Sequence, residues 1–553
     1  MSAIVSSSAQ AAGGTDQPPR LADLDLVGSD QALLDALRVQ GAAELEDEAR
    51  ALGTVLGSAE LLDAGFAANE RPPQHVIYDR SGVRTDDIEF DPAWHRVLST
   101  AVEAGIAGGV WADGRRGAHV ARAAGFIAVA QAEAGVTCPI AMTAASVPAL
   151  RLNDEVAAVW EPLATSTTYD HRPVGPGDKQ GALVGMALTE RCGGSDVRRS
   201  ATVATQDGDT WLVNGEKWFV SAVQSDALFV LAQTATGLSC LLVPCRSEDA
   251  TRNGMRVDRL KDKLGNRSNP TAEVHFTDAR AALVGDEGRG VRAIMAMIAG
   301  TRLDCVLGSA AVMRLGTTEA INWARHRVAF GRRLVDQPAM TAVLADLALE
   351  SEAATWAGLR LARAVEEQQA GSDEAGAFRR LALPALKYWV CKRAPMHAAE
   401  ALECLGGYGY IEESRMPRAY REAPLMSVWE GSGNVQALDV LRALERDPEC
   451  VDAVLNELDA ASGNNRRLDV ATSSLRSDLA AGPALGEARA REVTGRIARC
   501  LQASLLVRHA PPAIADAFCA TRLDDSRAGA FGALPPGLDV EAIVSRATPE
   551  GLA

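Results

Sequence analysis

The residue in this chain best suited to moving a proton is Glu430. It lies in Val-Trp-Glu-Gly-Ser-Gly-Asn, residues 428–434, a turn between two stretches of helical pattern. A carboxylate beside an aromatic ring and two glycines is partly withdrawn from water. Desolvation raises a carboxyl pKa toward the range where it works as a general base. The plainer reading of the same residues is a helix-terminal Glu facing solvent.

Four other stretches carry residues that could hold a ligand. In "MALTERCGGSD", residues 186–196, two glycines followed by Ser and Asp make a turn whose N–H groups can face an anion. Thr189 there offers a hydroxyl and an amide to the edge of a flat heterocycle. In "GEKWFVSAVQSD", residues 215–226, Trp218 and Phe219 adjoin and Ser221 follows. An aromatic next to a hydroxyl can stack on a ring and donate to its polar edge. Arg327 opens "RVAFGRRLVDQP", and a guanidinium suits a pyrophosphate. Gly406, Gly407 and Gly409 in "ECLGGYGYIEES" permit close backbone approach to a ligand. That run does not follow a strand in a βαβ unit, which excludes a Rossmann fingerprint. Each stretch also has an ordinary reading: a loop, a core tryptophan, a solvated helix-end arginine.

The elements that must position these residues follow from periodicity. Residues up to about Asp30 are small and polar and read as a flexible tail. From Gln31 to about Pro148, apolar residues recur at helical intervals, as in Val120, Ala124, Ile127 and Ala128. From Met186 to about Phe276 come short apolar runs such as "ALFVLAQ" and "LSCLLVP", separated by turn formers, which predict a small β domain. Helical periodicity returns from about Val291 to Leu444 with long Ala/Leu/Arg stretches, predicting a bundle. A looser helical appendage follows from Arg446.

Bulk composition sets the class. The chain has 553 residues, 47% hydrophobic and 23% charged, as soluble globular proteins do. Its net charge of −16 repels polyanions, so a nucleic-acid partner would need a local cationic patch. The ten cysteines fall singly, without a C-x-x-C pair or zinc spacing, so no metal site is expected. Cys240 and Cys245 read as buried small hydrophobes, a usage that suits a reducing compartment. No run of about 18 apolar residues stands out, and the start lacks a secretion pattern, so a cytoplasmic protein without a membrane span is expected.

Taken in order, "LTE…GGSD", "KWFVS", "KLGNRS", "RVAFG", "LGGYGY" and "WEGSGN" resemble the acyl-CoA dehydrogenases, closely over about Met186 to Arg442 and diffusely back to Tyr78. "EGSGN", "PAWH" at residues 92–95 and the long tail resemble the AidB branch of that family, linked to the bacterial adaptive response to alkylation. The resemblance implies an α+β, mostly α fold. Its parts would be a tail (1–30), an N-terminal helical domain (31–185), a middle β-barrel domain (186–288), a C-terminal four-helix bundle (289–445) and an extra helical C-terminal domain (446–553).

It also implies FAD. Leu188, Thr189, Gly194 and Ser195 would hold the flavin, and Phe219, Val220 and Ser221 would lie beside its ring. Arg327 would meet a pyrophosphate, often on a neighbouring subunit's FAD, within a homo-oligomer (tetramer or dimer). Trp429 stands where a tyrosine is usual, and Gly431, Ser432 and Asn434 would lie along the cofactor. Glu430 matches the common base position, whereas the alternative base position holds Thr301. The usual "EGT" plus Gln is changed to "EGSGN", and Pro338 and Glu403 replace expected glutamines.

The resemblance implies two functions: dehydrogenation of a short or branched acyl-CoA thioester, or an AidB-like flavoprotein that binds double-stranded DNA through the C-terminal extension and protects against alkylation damage, with only residual dehydrogenase activity. Arg489, Arg496 and Arg499 share a helix face there, and Arg508 and Arg527 would extend it. Glu487, Glu492, Asp516, Asp524 and Asp525 interrupt that patch, and a solvated amphipathic helix is the commoner meaning of such a pattern.

Overall fold

The computed structural model describes residues 17–523 and 529–550. Helices come first: α1 (Gln31–Leu37), α2 (Glu46–Leu56) and α3 (Ala59–Glu70). A hairpin of β1 (Gln74–Tyr78) and β2 (Arg84–Glu89) interrupts them before α4 (Pro92–Glu103), α5 (Ala118–Ala132), α6 (Thr137–Leu150) and α7 (Asp154–Ala164). The helical reading of this region overlooked the hairpin. Its signals are β-branched Val76 and Ile77 and a turn in which the Asp79 carboxylate accepts the N–H groups of Ser81 and Val83. Asp86 then ties the hairpin down, accepting from His75, Arg84 and the Val257 amide.

Residues 17–30 differ from the expected tail. Leu26 and Val27 are buried. The Leu26 amide donates to Gly53 O at 3.2 Å. Asp30 caps α1 and pairs with Arg314 at 3.2 Å. The segment is polar in composition, but its few apolar residues and its carboxylates all find partners.

The middle strands are β3 (Val184–Ala187), β4 (Val203–Asp207), β5 (Thr210–Ser221), β6 (Ala227–Thr234), β7 (Gly237–Pro244), β8 (Met255–Leu260) and β9 (Thr271–Val284). Their order is β3-β6-β4-β5-β9-β7, with β8 on β9 and a further β6–β7 pairing that closes the sheet into a barrel. Alternation explains why β6 and β7 are apolar without a break. Leu228, Val230, Leu241 and Val243 fill the barrel. Phe229, Leu231, Cys240 and Leu242 face out onto helices. Strands covered on both faces lose the polar alternation of a surface sheet.

Beyond the barrel run α8 (Gly290–His326), a two-residue-strand hairpin of β10 (Val328–Ala329) and β11 (Arg332–Arg333), α9 (Pro338–Gln369) and α10 (Asp373–Cys404). Short α11 (Met416–Glu422) and α12 (Leu425–Val428) precede α13 (Gly433–Arg446), which packs on α10. At 37 residues α8 is long and apolar enough to cross a membrane, yet it is the buried centre of this bundle. The extension adds α14 (Glu449–Asp459), α15 (Arg466–Ala481), α16 (Ala490–His509), α17 (Pro512–Arg522) and α18 (Val540–Ala547).

Candidate active site

Glu430 sits between the last residues of α12 and the first of α13, where the barrel, α6 and the bundle meet. Its φ is +59° and that of Gly431 is +98°, two consecutive left-handed residues. For glutamate this conformation costs on the order of 1–3 kcal/mol and persists only where its surroundings impose it. Three donors do so. Lys387 Nζ of α10 donates to Trp429 O at 2.6 Å and Gly431 O at 2.7 Å. Arg302 Nε of α8 donates to Glu430 O at 3.1 Å. Gln436 Nε2 donates to Glu430 O at 2.9 Å and Gly431 O at 3.0 Å. Asp439 fixes the far end of Arg302 at 2.7 Å.

Burial pushes the Glu430 carboxyl up to about 7, against a Thr301 hydrogen bond and the positive charges of Arg302 and Lys387 that draw it down. Thr301, expected at the alternative base position, draws the Glu430 carboxyl down, and its hydroxyl also reaches Met297 O and Ile298 O of its own helix.

Around it the walls are apolar. Trp429 packs against Cys305, Cys391 and Met426, and also against the cluster that holds Cys138, Met142, Met297 and Leu188. Burial raises the Cys138 thiol to about 12 and lowers the Lys263 amine to about 8. Cys138 is close enough to feel the charges of both Lys263 and Glu430. Lys263 Nζ reaches Thr271 Oγ1 at 3.1 Å, and Thr271 meets Ser221 Oγ at 3.2 Å. A continuous run of neighbours thus joins Ser221 at the end of β5 to Glu430.

Thr189 lies beside the same strand end, its carbonyl accepting from the Trp218 amide at 2.7 Å. Gly194 packs closely on Thr189, since a Cβ there would lie 2.5 Å from Thr189 Oγ1 and displace that side chain. The loop is anchored by Glu190, whose carboxylate accepts from Lys217 Nζ at 2.7 Å and from the amides of Ala201 and Thr202. Burial opposes ionisation there, yet those partners draw Glu190 down to about 2. Val220 is buried, Phe219 is half exposed and Ser195, Ser432 and Asn434 are exposed.

Arg327 is elsewhere. It follows the end of α8, 26 residues beyond Thr301, or roughly 39 Å at 1.5 Å per residue. At that end Tyr408 stacks on Trp323 with ring centroids 5.0 Å apart. Phe330 is 98% exposed and Tyr410 82%. Nothing lies within 4 Å of where Cβ atoms of Gly406 and Gly407 would be. Leu188, Thr189, Ser221, Trp429, Glu430 and Gly431 therefore share one junction, Val220 is buried inside the barrel, and Arg327 with the double glycine forms a separate, open surface.

Sequence reasoning missed Lys387, Arg302, Gln436, Lys263 and the Glu190–Lys217 pair. A signal was present: Arg302 and Lys387 are single cations inside otherwise apolar helical runs, and a cation is seldom buried without a partner.

In the extension, Arg489 pairs with Asp478 and Glu492, Arg496 with Asp478, and Arg508 with Glu457. Arg499 stacks on Trp389 and donates to Arg522 O. Arg527, Asp524 and Asp525 lie outside the described residues.

Residues 16–171 match a family model described as the adaptive response protein AidB N-terminal domain. Residues 185–279 match the acyl-CoA dehydrogenase middle domain and 288–445 the acyl-CoA dehydrogenase C-terminal domain. The AidB protein of Escherichia coli (strain K12) is 44% identical over 92% of this chain and 94% of its own length. Acyl-CoA dehydrogenase family member 11 of Caenorhabditis elegans is 31% identical over 82% of this chain and 78% of its own. Among solved structures, Caenorhabditis elegans ACDH-11 in complex with C11-CoA superposes with a TM-score of 0.86 at 26% identity, covering 95% of this chain and 96% of that one.

Proposed function

This chain belongs to the acyl-CoA dehydrogenase family, in its AidB branch, and on that premise we propose that it is an FAD-dependent dehydrogenase of a short or branched acyl-CoA thioester, with Glu430 as the base. The observation that carries this reading is a carboxyl held on a strained turn, raised to about 7, at the junction of barrel and bundle.

The residues fit a flavin. Phe219 presents a half-exposed ring at the end of β5, with Lys261 Nζ 4.5 Å from its centroid, next to the Thr189 loop with its close-packed Gly194. Ser221 and the Lys263 amine supply polar groups at the same edge. FAD, when bound, supplies the acceptor for the hydride. Everything else falls to the chain. Glu430 takes the thioester α-proton, for which a pKa near working pH is the favourable value. The peptide joining Trp429 to Glu430 has its C=O drawn inward by Lys387. Its N–H, on the opposite side of a trans peptide, is turned away from the bundle toward the substrate carbonyl. A donor at that place stabilises charge that develops on the oxygen as the proton leaves. Trp429, Cys138, Met142 and Met297 make the walls around the carboxyl apolar.

Two features refine the proposal. A Cβ on Gly300 of α8 would lie 2.8 Å from the Ala145 Cβ of α6, so these helices touch one residue from Thr301. That close approach leaves less room on this side for a long acyl chain. The roughly 39 Å between Thr301 and Arg327 along α8 favours a homo-oligomer in which Arg327 and Gly406–Gly407 of one copy serve the cofactor of another. The test is to load the purified protein with FAD, offer isovaleryl-CoA and an electron-accepting dye, and assay the α,β-unsaturated thioester by mass spectrometry. Product formation supports the proposal. A protein that takes up no FAD removes it.

A second reading, association with duplex DNA through the extension, rests on the arginines Arg489, Arg496 and Arg499 that share a helix face there. Ion pairs already occupy Arg489, Arg496 and Arg508. A binding titration across salt decides it, because phosphate contacts impose a log–log slope. Undetectable affinity at low salt would end that reading.

A further inference from the structure

The turn under Glu430 has an unusual construction. Three successive carbonyls, those of Trp429, Glu430 and Gly431, converge on the bundle interior. Lys387 Nζ stands among them and takes the two that flank the base, at 2.6 and 2.7 Å. Its side chain is fully buried in the middle of α10. A lysine hidden there has no water to solvate its ammonium, and the carbonyls it donates to replace that solvation. Arg302 and Gln436 share the middle carbonyl, so they can hold Glu430 O without Lys387. Neither reaches Trp429 O.

We propose that Lys387 is a positioning residue for the base. By gathering the carbonyls on either side of Glu430, it sets the left-handed turn, turns the Glu430 N–H outward and places a buried positive charge beneath the carboxylate. This rests on the reading of Glu430 as the base. The charge acts in concert with known neighbours: Arg302, the Thr301 hydroxyl and the Cys305 thiol from α8, the Cys138 thiol from α6, the Cys391 thiol from α10, and Asp439 of α13 bound to Arg302. Of these, only Arg302 and Lys387 bring positive charge against the carboxyl.

Lys387→Met keeps the length of the side chain and removes both donor and charge. Lys387→Gln removes the charge and keeps N–H donors on a slightly shorter side chain. The full-length protein is titrated by infrared difference spectroscopy, following the protonated-carboxyl stretch that Glu430→Gln deletes. In both Lys387 variants the midpoint should rise by about one unit or more, the effect of losing an adjacent opposite charge. Rates then separate the two roles. Lys387→Met should lose about a hundredfold in kcat with little change in KM, and Lys387→Gln should recover most of it. A folded, FAD-binding Lys387→Met with the wild-type midpoint and kcat overturns the proposal. If Lys387→Met does not fold, an unmoved midpoint in Lys387→Gln overturns it instead. The infrared midpoint needs no turnover. A wild-type protein that binds FAD and never oxidises a thioester would therefore sink the dehydrogenase reading and leave this one to be judged separately.

Discussion

A base tuned by burial should weaken the fold that carries it, and Glu430→Gln exposes the cost. The folded carboxyl titrates near 7 against an ordinary 4.5. The folded state therefore binds its proton more tightly than the unfolded chain does. Its contribution to stability is fully present below the unfolded pKa and is lost as pH rises through 7. At 1.36 kcal/mol per pKa unit, the shift amounts to about 3 kcal/mol once both states are ionised. Glutamine has the same shape and no proton to lose, so it escapes the penalty. Urea unfolding of the FAD-free protein, compared for wild type and Glu430→Gln, reads this directly. The variant should be ahead by less than about 1 kcal/mol near pH 5 and by about 3 kcal/mol near pH 8. A difference that does not change with pH, or a variant that is the weaker at pH 8, would show that the carboxyl is not held above its ordinary range.

Three further outcomes follow. Lys217→Met should strand the buried Glu190 carboxylate, lower stability by about 3–5 kcal/mol and weaken FAD uptake through the Thr189 loop, which a flavin fluorescence titration measures. In the wild type the same pair makes stability fall as pH drops from the ordinary carboxylate range toward about 2, where Glu190 titrates; acid unfolding with and without Glu190→Gln checks the sign. Gly431→Ala adds a Cβ at φ +98° that would meet Val435 Cγ1 at 2.8 Å. It should lower thioester turnover far more than FAD affinity, and equal losses in both would contradict the placement of that turn.

Much of this architecture was legible because periodicity is a local property. Strands β6 and β7 announced themselves as unbroken apolar runs, and helices α8 to α10 as long repeats. The β1–β2 hairpin was overlooked because Ala-rich helices on either side set the expected period. Residues 17–30 looked like a tail because their partners, Gly53 and Arg314, lie far along the chain. The same limit applies at the site. Trp429 and Gly431 adjoin Glu430, so a desolvated carboxylate was readable from one heptapeptide. Lys387 and Arg302 lie more than forty and one hundred residues upstream of the turn they hold. No spacing rule connects a buried cation to carbonyls at such separations. The arginines of the extension show the same limit, since a helical wheel displays a cationic face without showing Asp478 and Glu457 on neighbouring helices.

The most direct trial of the account is rapid mixing of FAD-loaded protein, without oxygen, with isovaleryl-CoA carrying deuterium or hydrogen at its α-carbon. The account predicts that the flavin band bleaches and that α-deuteration slows the bleaching. It also predicts that Glu430→Gln lowers the rate by about 10²–10⁴-fold. A flavin band indifferent to the thioester, or Glu430→Gln bleaching as fast as wild type, would contradict it.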